Sequence, residues 1–401
     1  EAGLNSTPGV SSIEGIPTNV PFGQYGGDND ADNSGVITYV SIRHGGTEIG
    51  AGNEINGFTL GGVGSGTTIN NVEVIANMDD GIEFFGGTVS IQNAMVAGVG
   101  DDSYDYDEGW RGQLNSNWVA VASSDDGDRG GEHDGGTDPE TAQPYATPTI
   151  TYATFVGRGV DAGKRALTFR DNAGGNYSNS VFFNYARGVD VEDLSEGEDS
   201  YSRFLSGDLT FTNNVVDCGS NAFVTSQGED LSEYFNANGN STSSDHGLTW
   251  SPSAVSLAGR ADWASWTLAM TSGWVSPGEA VQGDVVVSSN VTGTAYWTAN
   301  NTYHLDGSVF VEPGATLHIE AGTVVKGMPG QGVESSYLCV AKGAQIFAEG
   351  TADAPIIFTF EADPLDGSTP LTTRGQWGGL IVLGEAGLNS TPGVSSIEGI
   401  P

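Results

Sequence analysis

Three stretches of the chain decide the fold: NVEVIANMDD at 71–80, NAMVAGVGDD at 93–102 and NWVAVASSDD at 117–126. Each begins with Asn, continues as a short apolar run and ends on a pair of Asp residues, with the same interval between the Asn and the pair. Self-similarity at a period of about 20–30 residues, built on short strands, is typical of a parallel β-solenoid. We therefore predict an all-β fold, a right-handed parallel β-helix whose coils stack about 4.8 Å apart.

Stacking at that spacing would place the three Asp pairs in one column. Like charges so close cannot all stay ionised without a cation between them. Carboxylates in flexible, Gly-containing loops are the hard oxygen ligands that Ca²⁺ prefers. We predict a Ca²⁺ site in this column, with a solvated acidic face as the alternative. The candidate ligands are Asp79, Asp80, Glu83, Asp101, Asp102, Asp105, Asp107, Asp125, Asp126 and Asp128.

A second, smaller acidic loop contains Asp28, Asp30 and Asp32. Its D-x-D-x-D order resembles the start of an EF-hand loop, although no Glu stands at the twelfth position and the flanks are not helical. We include these three residues as weaker candidates for Ca²⁺.

The charge balance argues against several classes of partner. The 401 residues include 51 Asp and Glu but only 13 Lys and Arg, for a net charge of −38. Such a chain is not expected to bind nucleic acid or anionic lipid, and a polyanionic substrate such as pectate is equally disfavoured. The sequence has no apolar run long enough to predict a membrane span. The two cysteines, Cys218 and Cys339, are expected as buried free thiols rather than as a disulfide.

The chain begins and ends with the same segment. EAGLNSTPGVSSIEGIP occupies 1–17 and again 385–401, an offset of 384. The simplest interpretation is a unit that recurs at this offset; the alternative is a sequence assigned cyclically to a periodic object. Both imply an end-to-end array.

We place the natural boundary of that unit near 276–284, where Pro, Gly and polar residues interrupt the strand pattern. From there, rungs of the helix are predicted over 283–401, and they continue through the repeated segment into 1–227. Residues 228–282, with four Trp between 250 and 274, are predicted to form a small Trp-rich cap or a joint between units.

Several motifs resemble a known family. These are GATLHIEAGTVVKG at 314–327, WGGLIVLG at 377–384, NEINGFTLGGVG at 53–64 and DDGIEFFGG at 79–87. Together they resemble large secreted surface proteins of Bacteroidota, many of which carry a type IX secretion signal. The resemblance implies a parallel β-helix outside the cell and implies little about activity.

We expect a structural protein rather than an enzyme: an extracellular filament or giant repeat adhesin that is assembled end to end, with lateral contacts between copies, and rigidified by Ca²⁺. Cell-surface glycans are a further expected partner, through Tyr104, Tyr106 and Trp110 if these aromatics are exposed. The alternative is a β-helical polysaccharide-degrading enzyme or carbohydrate-binding module, with carboxylates and Arg111 or His133 as its groups. The RGVD tetrads at 158–161 and 187–190 are expected to be equivalent, with Arg paired to Asp.

Overall fold

The computed structural model describes residues 11–12, 16, 20–50, 53–136, 139–251, 254–257, 260–270, 284–299 and 301–389. In these ranges the chain forms long parallel sheets of short strands that coil around one apolar core. The parallel β-helix predicted from the sequence is confirmed. The predicted unit boundary at 276–284 lies almost wholly outside the described residues, as does most of the repeated segment.

The first half of the chain contains these strands: β1 (Ser11–Ser12), β2 (Gln24–Tyr25), β3 (Gly35–Arg43), β4 (Glu48–Gly50), β5 (Asn53–Glu54), β6 (Phe58–Gly61), β7 (Thr68–Ile75), β8 (Ile82–Phe85), β9 (Ile91–Ala97), β10 (Tyr104–Asp107), β11 (Asn115–Val121), β12 (Gly131–Asp134), β13 (Thr149–Thr151), β14 (Thr154–Val156), β15 (Arg165–Arg170), β16 (Gly175–Ser178), β17 (Val181–Phe183) and β18 (Arg187–Val191).

The second half contains these strands: β19 (Leu209–Thr212), β20 (Val215–Asp217), β21 (Ser220–Thr225), β22 (Thr249–Ser251), β23 (Ala254–Ser256), β24 (Asp284–Val287), β25 (Thr294–Trp297), β26 (Thr302–Leu305), β27 (Ser308–Val311), β28 (Thr316–Ile319), β29 (Val324–Gly327), β30 (Tyr337–Val340), β31 (Gln345–Glu349), β32 (Ile356–Phe360) and β33 (Gly379–Leu383).

Helical structure is sparse. The α-helices of the described residues are α1 (Ser200–Ser206) and α2 (Ser232–Ala237), and the 3-10 turns are Pro21–Gly23, Val160–Ala162, Asp262–Trp266 and Gly332–Glu334. None of these described helices has the length and apolarity needed to cross a membrane.

The coil has three faces. Face 1 is a ten-stranded parallel sheet in the order β27-β30-β33-β6-β8-β10-β12-β15-β18-β21. Faces 2 and 3 share the long strands β3, β7, β9 and β11, which bend from one face into the other. The first halves of these strands continue the sheet of β25, β28 and β31, and their second halves continue the sheet of β24, β26, β29 and β32.

The bend between faces 2 and 3 explains the period of Asn in the sequence. Asn71, Asn93 and Asn117 stand at this corner with φ of 50°, 60° and 57°, the left-handed conformation that Asn adopts more easily than most residues. Their side chains form a ladder, in which Asn93 donates to Asn71 at 3.2 Å and Asn117 donates to Asn93 at 2.9 Å. The ladder satisfies the amides while each coil turns the same corner.

The order of coils in space differs from their order along the chain. β33 pairs with β6, while β31 and β32 pair with β3, so the coils of 284–383 precede those of 35–225 in the stack. The far end of the stack is covered by α2, whose Phe235 is buried and lies 6.1 Å from Phe223.

The described residues between 248 and 270 form a return segment along the flank. Leu248, Leu257 and Ala264 pack on the outer side of face 3. Farther along, the Trp266 ring lies 5.5 Å from that of Tyr39, and the Ala269 amide donates to Glu73 at 3.0 Å. Of the predicted cap or joint, the described part that carries Trp250, Trp263 and Trp266 therefore runs back along the coil, and the α2 part covers its end. Trp274 lies outside the described residues.

The core depends on alternation along each strand. Inward positions of face 1 stack as Phe84, Tyr106, His133 and Phe169, with the Tyr106 and His133 rings 4.0 Å apart. Outward positions of the middle strands carry acids: Glu83 on β8, Asp105 and Asp107 on β10, and Glu132 and Asp134 on β12. Cys339 is buried as a free thiol, and Cys218 is free and partly buried.

The Asn corner can be tested at Asn93. Asn93→Ala removes two amide hydrogen bonds and places Ala at positive φ, so the free energy of unfolding in urea should fall by about 2 kcal/mol. Asn93→Gly loses the same bonds but tolerates the backbone conformation, and it should lose clearly less. Equal losses in the two variants would contradict a role for the left-handed corner.

Candidate metal centre

The acids lie on the outer surface of face 1, where an apolar cover ends. Over the earlier coils, the outward side chains of Phe310, Cys339 and Ile381 are packed under Ile16 and Tyr25 in a second apolar cluster. The register then continues as Ile381, Thr59, Glu83. From Glu83 of β8 onward this outward register position is polar, although the neighbouring outward residue Phe85 still belongs to the apolar cluster.

Two columns of side chains run along this surface. The first is a strand column, with these residues in register from coil to coil: Thr59, Glu83, Asp105, Glu132, Thr168 and Asp190. The second precedes the strands and contains, in the same order of coils, Asp80, Asp102, Arg129, Arg165 and Arg187. The second column changes from acidic to basic between Asp102 and Arg129.

The acidic end forms four groups of three carboxylates, and within each group the nearest oxygens all lie within 4.8 Å of one another. The groups are Asp79–Asp80–Asp101, Asp80–Glu83–Asp105, Asp101–Asp102–Asp128 and Asp102–Asp105–Glu132. At that separation two full charges repel by about 3 kcal/mol at an effective dielectric constant of about 20. The groups share members, so the acids form one connected cluster.

Burial makes this repulsion harder to relieve. Burial, then the charges of Asp79 and Asp105, raises the pKa of Asp80 well above its usual range. Burial, then Glu132 and Asp134, does the same to the pKa of Asp105. Burial and the neighbouring Asp102 and Asp134 raise the pKa of Glu132 to about 9, although Arg170 and Arg129 oppose the shift. Without a cation, burial and mutual repulsion therefore favour the protonated forms of Asp80, Asp105 and Glu132.

Three buried oxygens in or beside this cluster lack a hydrogen-bond donor among the described residues: Oδ1 of Asp105, Oδ1 of Asn56 and Oε1 of Glu132. The Glu132 oxygen lies against Arg129 and Arg170, whereas those of Asp105 and Asn56 have no such ion pair in the described part of the chain. Asn56 is 2% exposed, and its amide nitrogen donates to Glu83. Buried oxygens without a donor are costly, and a hard cation such as Ca²⁺ satisfies them together with the surrounding carboxylates. The residues therefore fit Ca²⁺, and Asp80, Glu83, Asp105 and the Asn56 oxygen would hold it.

At the basic end of the second column, Arg and Lys side chains of this chain pair with the acids of the later coils. Arg129 lies 3.2 Å from Asp102 and 3.0 Å from Glu132. Arg170 lies 2.9 Å from Glu132, and Lys164 lies 3.0 Å from Asp128. These contacts compensate the charges of Asp102 and Asp128, and they oppose the rise in the pKa of Glu132, at the later end of the acidic cluster.

The third predicted Asp pair is not part of the column. Tyr104 pairs with Ile82 in the preceding coil and with Gly131 in the following one, and the second of these two steps is the longer along the chain. The extra residues form a turn in which the Ser123 hydroxyl donates to Asp125 at 2.7 Å, and both Asp125 and Asp126 face Arg374 at 3.5 Å. The stacking of Asp125 and Asp126 predicted from the sequence is wrong because this turn shifts the register.

Other predicted ligands also lie elsewhere. Asp30 pairs with Arg111 and accepts from the Gly387 amide, Asp32 accepts from the Ser34 hydroxyl at 3.0 Å, and Asp28 is exposed. The carboxylate groups found among the described residues include none of these three. Asp107 accepts from the Glu108 amide and stands beside Phe85 in the register, outside the four groups.

The expectation of exposed aromatics is wrong. Tyr104, Tyr106 and Trp110 are 1%, 0% and 0% exposed, because they occupy inward positions while Asp105 and Asp107 alternate outward. His133 is also in the core; burial lowers its pKa to about 3, and its Nε2 lies 2.7 Å from the Tyr177 hydroxyl. It does not face the acids.

Sequence reasoning named Arg187 but missed Arg165, the residue that precedes it in the second column. Arg165, not Arg158, is the register partner of Arg187, so the two RGVD tetrads are not equivalent. Arg165 lies 2.7 Å from Asp190, whereas Arg187 lies 3.8 Å from it. Alignment of the inward aromatic positions, rather than of the tetrads, gives the correct stacking.

The coil and its polar ladder define the class: a parallel β-helix with an outer face built of stacked polar columns. The family described as "Pectate-lyase like beta helix domain" matches residues 7–269 and 289–400. The chain belongs to this family. No curated protein and no solved structure matches it significantly.

The raised pKa values predict how stability depends on pH. The folded chain holds protons on Asp80, Asp105 and Glu132 that the unfolded chain releases near pH 4. For Glu132 this contribution to stability is greatest below that pH and is lost as pH rises through its folded pKa of about 9. The raised pKa values of Asp80 and Asp105 act in the same direction. In chelator, Tm should be lower at pH 9 than at pH 6. Asp105→Asn should flatten this dependence; an unchanged slope would contradict the assignment.

Proposed function

We propose that this protein is an extracellular structural β-helix whose outer carboxylate cluster binds Ca²⁺ and thereby stiffens the coil. The observation that carries the proposal is the Asp80–Glu83–Asp105 group, with the Asp105 oxygen and the neighbouring Asn56 oxygen buried and without donors among the described residues. Ca²⁺ ions that bridge consecutive coils would convert mutual repulsion into attraction along the axis of the helix. The role is mechanical: reach, stiffness and attachment.

The shape and the repeated segment support an array. Face 1 alone stacks ten strands, a length of roughly 45 Å at the usual strand spacing. The segment at 1–17 recurs at an offset of 384, which suits a series of near-identical units. We propose that units join end to end on the cell surface, through contacts with other copies, to form a filament or repeat adhesin.

Calcium should stabilise the chain through this group. A site filled at 100 times its Kd adds about 2.7 kcal/mol, so Ca²⁺ at millimolar concentration should raise Tm by several degrees over chelator, and Mg²⁺ should do so less. Particles seen by negative-stain microscopy should shorten in chelator. Unchanged stability and length would refute the metal proposal.

Two variants locate the site. Asp105→Asn should lose most of the calcium-dependent rise in Tm. In chelator it should be more stable than the wild type, because Asn at this position needs neither a bound proton nor a cation to be buried beside the other acids. Asp126→Asn is the matched control, since it removes a charge from the neighbouring turn outside the cluster, and it should keep the rise. Equal behaviour of the two variants would contradict the assignment.

A second candidate function is binding or degradation of an acidic polysaccharide. It is favoured by the basic column, because Arg129, Arg165 and Arg187 follow the metal candidate along the same surface. The Arg187 and Arg165 side chains are 48% and 34% exposed. A bound cation and a row of guanidinium groups could together hold successive carboxylates of a polyuronate chain.

This candidate predicts that the protein is retained on immobilised polyuronate in Ca²⁺ and not in chelator. The double variant Arg165→Ala, Arg187→Ala should elute at least about tenfold weaker, since each lost charge-assisted contact removes about 1.5 kcal/mol or more. Arg158→Ala, which changes an Arg outside the column, should elute like the wild type. Chain shortening in the eluate would indicate an enzyme; no retention of the wild type would remove this candidate.

A further inference from the structure

The second copy of the repeated segment lies in a groove made by four separate loops. Residues 385–389, with the sequence EAGLN, lie along Gly26 and Gly27 on one side and Gly62 on the other. The Gly27 amide donates to Ala386 at 3.1 Å, and the Ala386 amide donates to Gly62 at 2.6 Å. This docking groove, formed by the loops at 26–30, 62, 108–111 and 135–136, pairs with the segment through its backbone.

The docking groove is specific for the Asn at its end. Asn389 is 1% exposed; its backbone amide donates to Glu108 at 3.0 Å, and its side chain donates to Gly135. A Cβ on Gly109 or on Gly136 would lie 2.8 Å from Asn389 atoms, and Gly109 has a φ of 75°. Glycine at these two positions therefore leaves room for the Asn side chain of the segment, and a shorter side chain at position 389 would relieve the contact at 136.

Charged groups hold the middle of the segment. Arg111 donates to the Gly387 carbonyl at 2.9 Å, and Asp30 accepts from the Gly387 amide at 3.2 Å. Arg111 and Asp30 are themselves an ion pair. Asp30 therefore binds the Gly387 amide and Arg111, and it is not part of the acidic cluster.

The first copy of the segment supplies the continuation of the same path. Ser11–Ser12 pairs with Gln24–Tyr25, directly before Gly26 and Gly27, and Ile16 is fully buried in the outer apolar cluster that also contains Leu388. By the offset of 384, the first copy's residues equivalent to 385–389 are 1–5, which also read EAGLN. The segment therefore follows a single path on the outer surface, in which residues 385–389 come from the second copy and Ser11, Ser12 and Ile16 come from the first.

We propose that the docking groove is an exchange site, in which Glu1–Asn5 of the same chain takes the place of Glu385–Asn389. Every contact of the groove is to backbone or to a side chain that the two copies share, so the exchange conserves them. When the first copy occupies the groove, residues 385–389 are released with their docking sequence intact. The proposal does not depend on Ca²⁺, and its test is independent of the metal.

A double-mutant cycle tests the exchange. Asn389→Ala and Asn5→Ala should each lower Tm by no more than about 1 °C, because the intact copy fills the groove, and the double variant should lower it by at least about 3 °C. If Asn389→Ala alone gives the full loss and Asn5→Ala adds nothing, the groove accepts one copy and the proposal is overturned. An unaffected double variant also overturns it.

Disulfide trapping gives a second, direct readout. Gly136→Cys combined with Asn389→Cys should crosslink within one chain, and Gly136→Cys combined with Asn5→Cys should do so as well, each as a monomer on a non-reducing gel. A crosslink at position 389 only would overturn the exchange. Crosslinking of position 5 only as a dimer would show that a second chain, and not the same chain, fills the groove, which also overturns the proposal as stated.

Discussion

In-register stacking is the constraint on which the rest of this structure depends. In a parallel coil each residue lies about 4.8 Å from its counterpart in the next turn, so every column must be compatible with itself. Apolar columns satisfy this condition by packing, and Asn columns satisfy it because an amide both donates and accepts. Acidic columns do not, and the outer columns of face 1 show how this chain responds.

The response is a reversal of charge along one column. Asp80 and Asp102 are followed by Arg129, Arg165 and Arg187, and the later acids Glu132 and Asp190 pair with these guanidinium groups. The earlier group, Asp80, Glu83 and Asp105, lies where the apolar cover of the outer face has ended and the first Arg of the column has not yet begun. These three acids differ from the later ones in their position along the stack, and not in residue type, and this position makes them the candidate metal ligands.

The sequence was sufficient for the fold because the Asn and apolar positions mark the corners and inward faces directly. Asn71, Asn93 and Asn117 stack as their spacing indicates. The site was predictable only in part, because register between coils depends on loop length. The turn held by Ser123 adds residues between β10 and β12, which moves Asp126 out of the column and brings Arg129 in. The path of the return segment depends on long-range packing that no local pattern encodes.

The central claim is that a cation satisfies the Asp80–Glu83–Asp105 group. A crystal structure of the protein grown with Ca²⁺, with anomalous data collected to identify the ion, tests this most directly. The account predicts an anomalous peak with oxygens of Asp80, Glu83 and Asp105 at about 2.3–2.6 Å. Carboxylates that turn away from one another around ordinary water, with no anomalous peak, would contradict it.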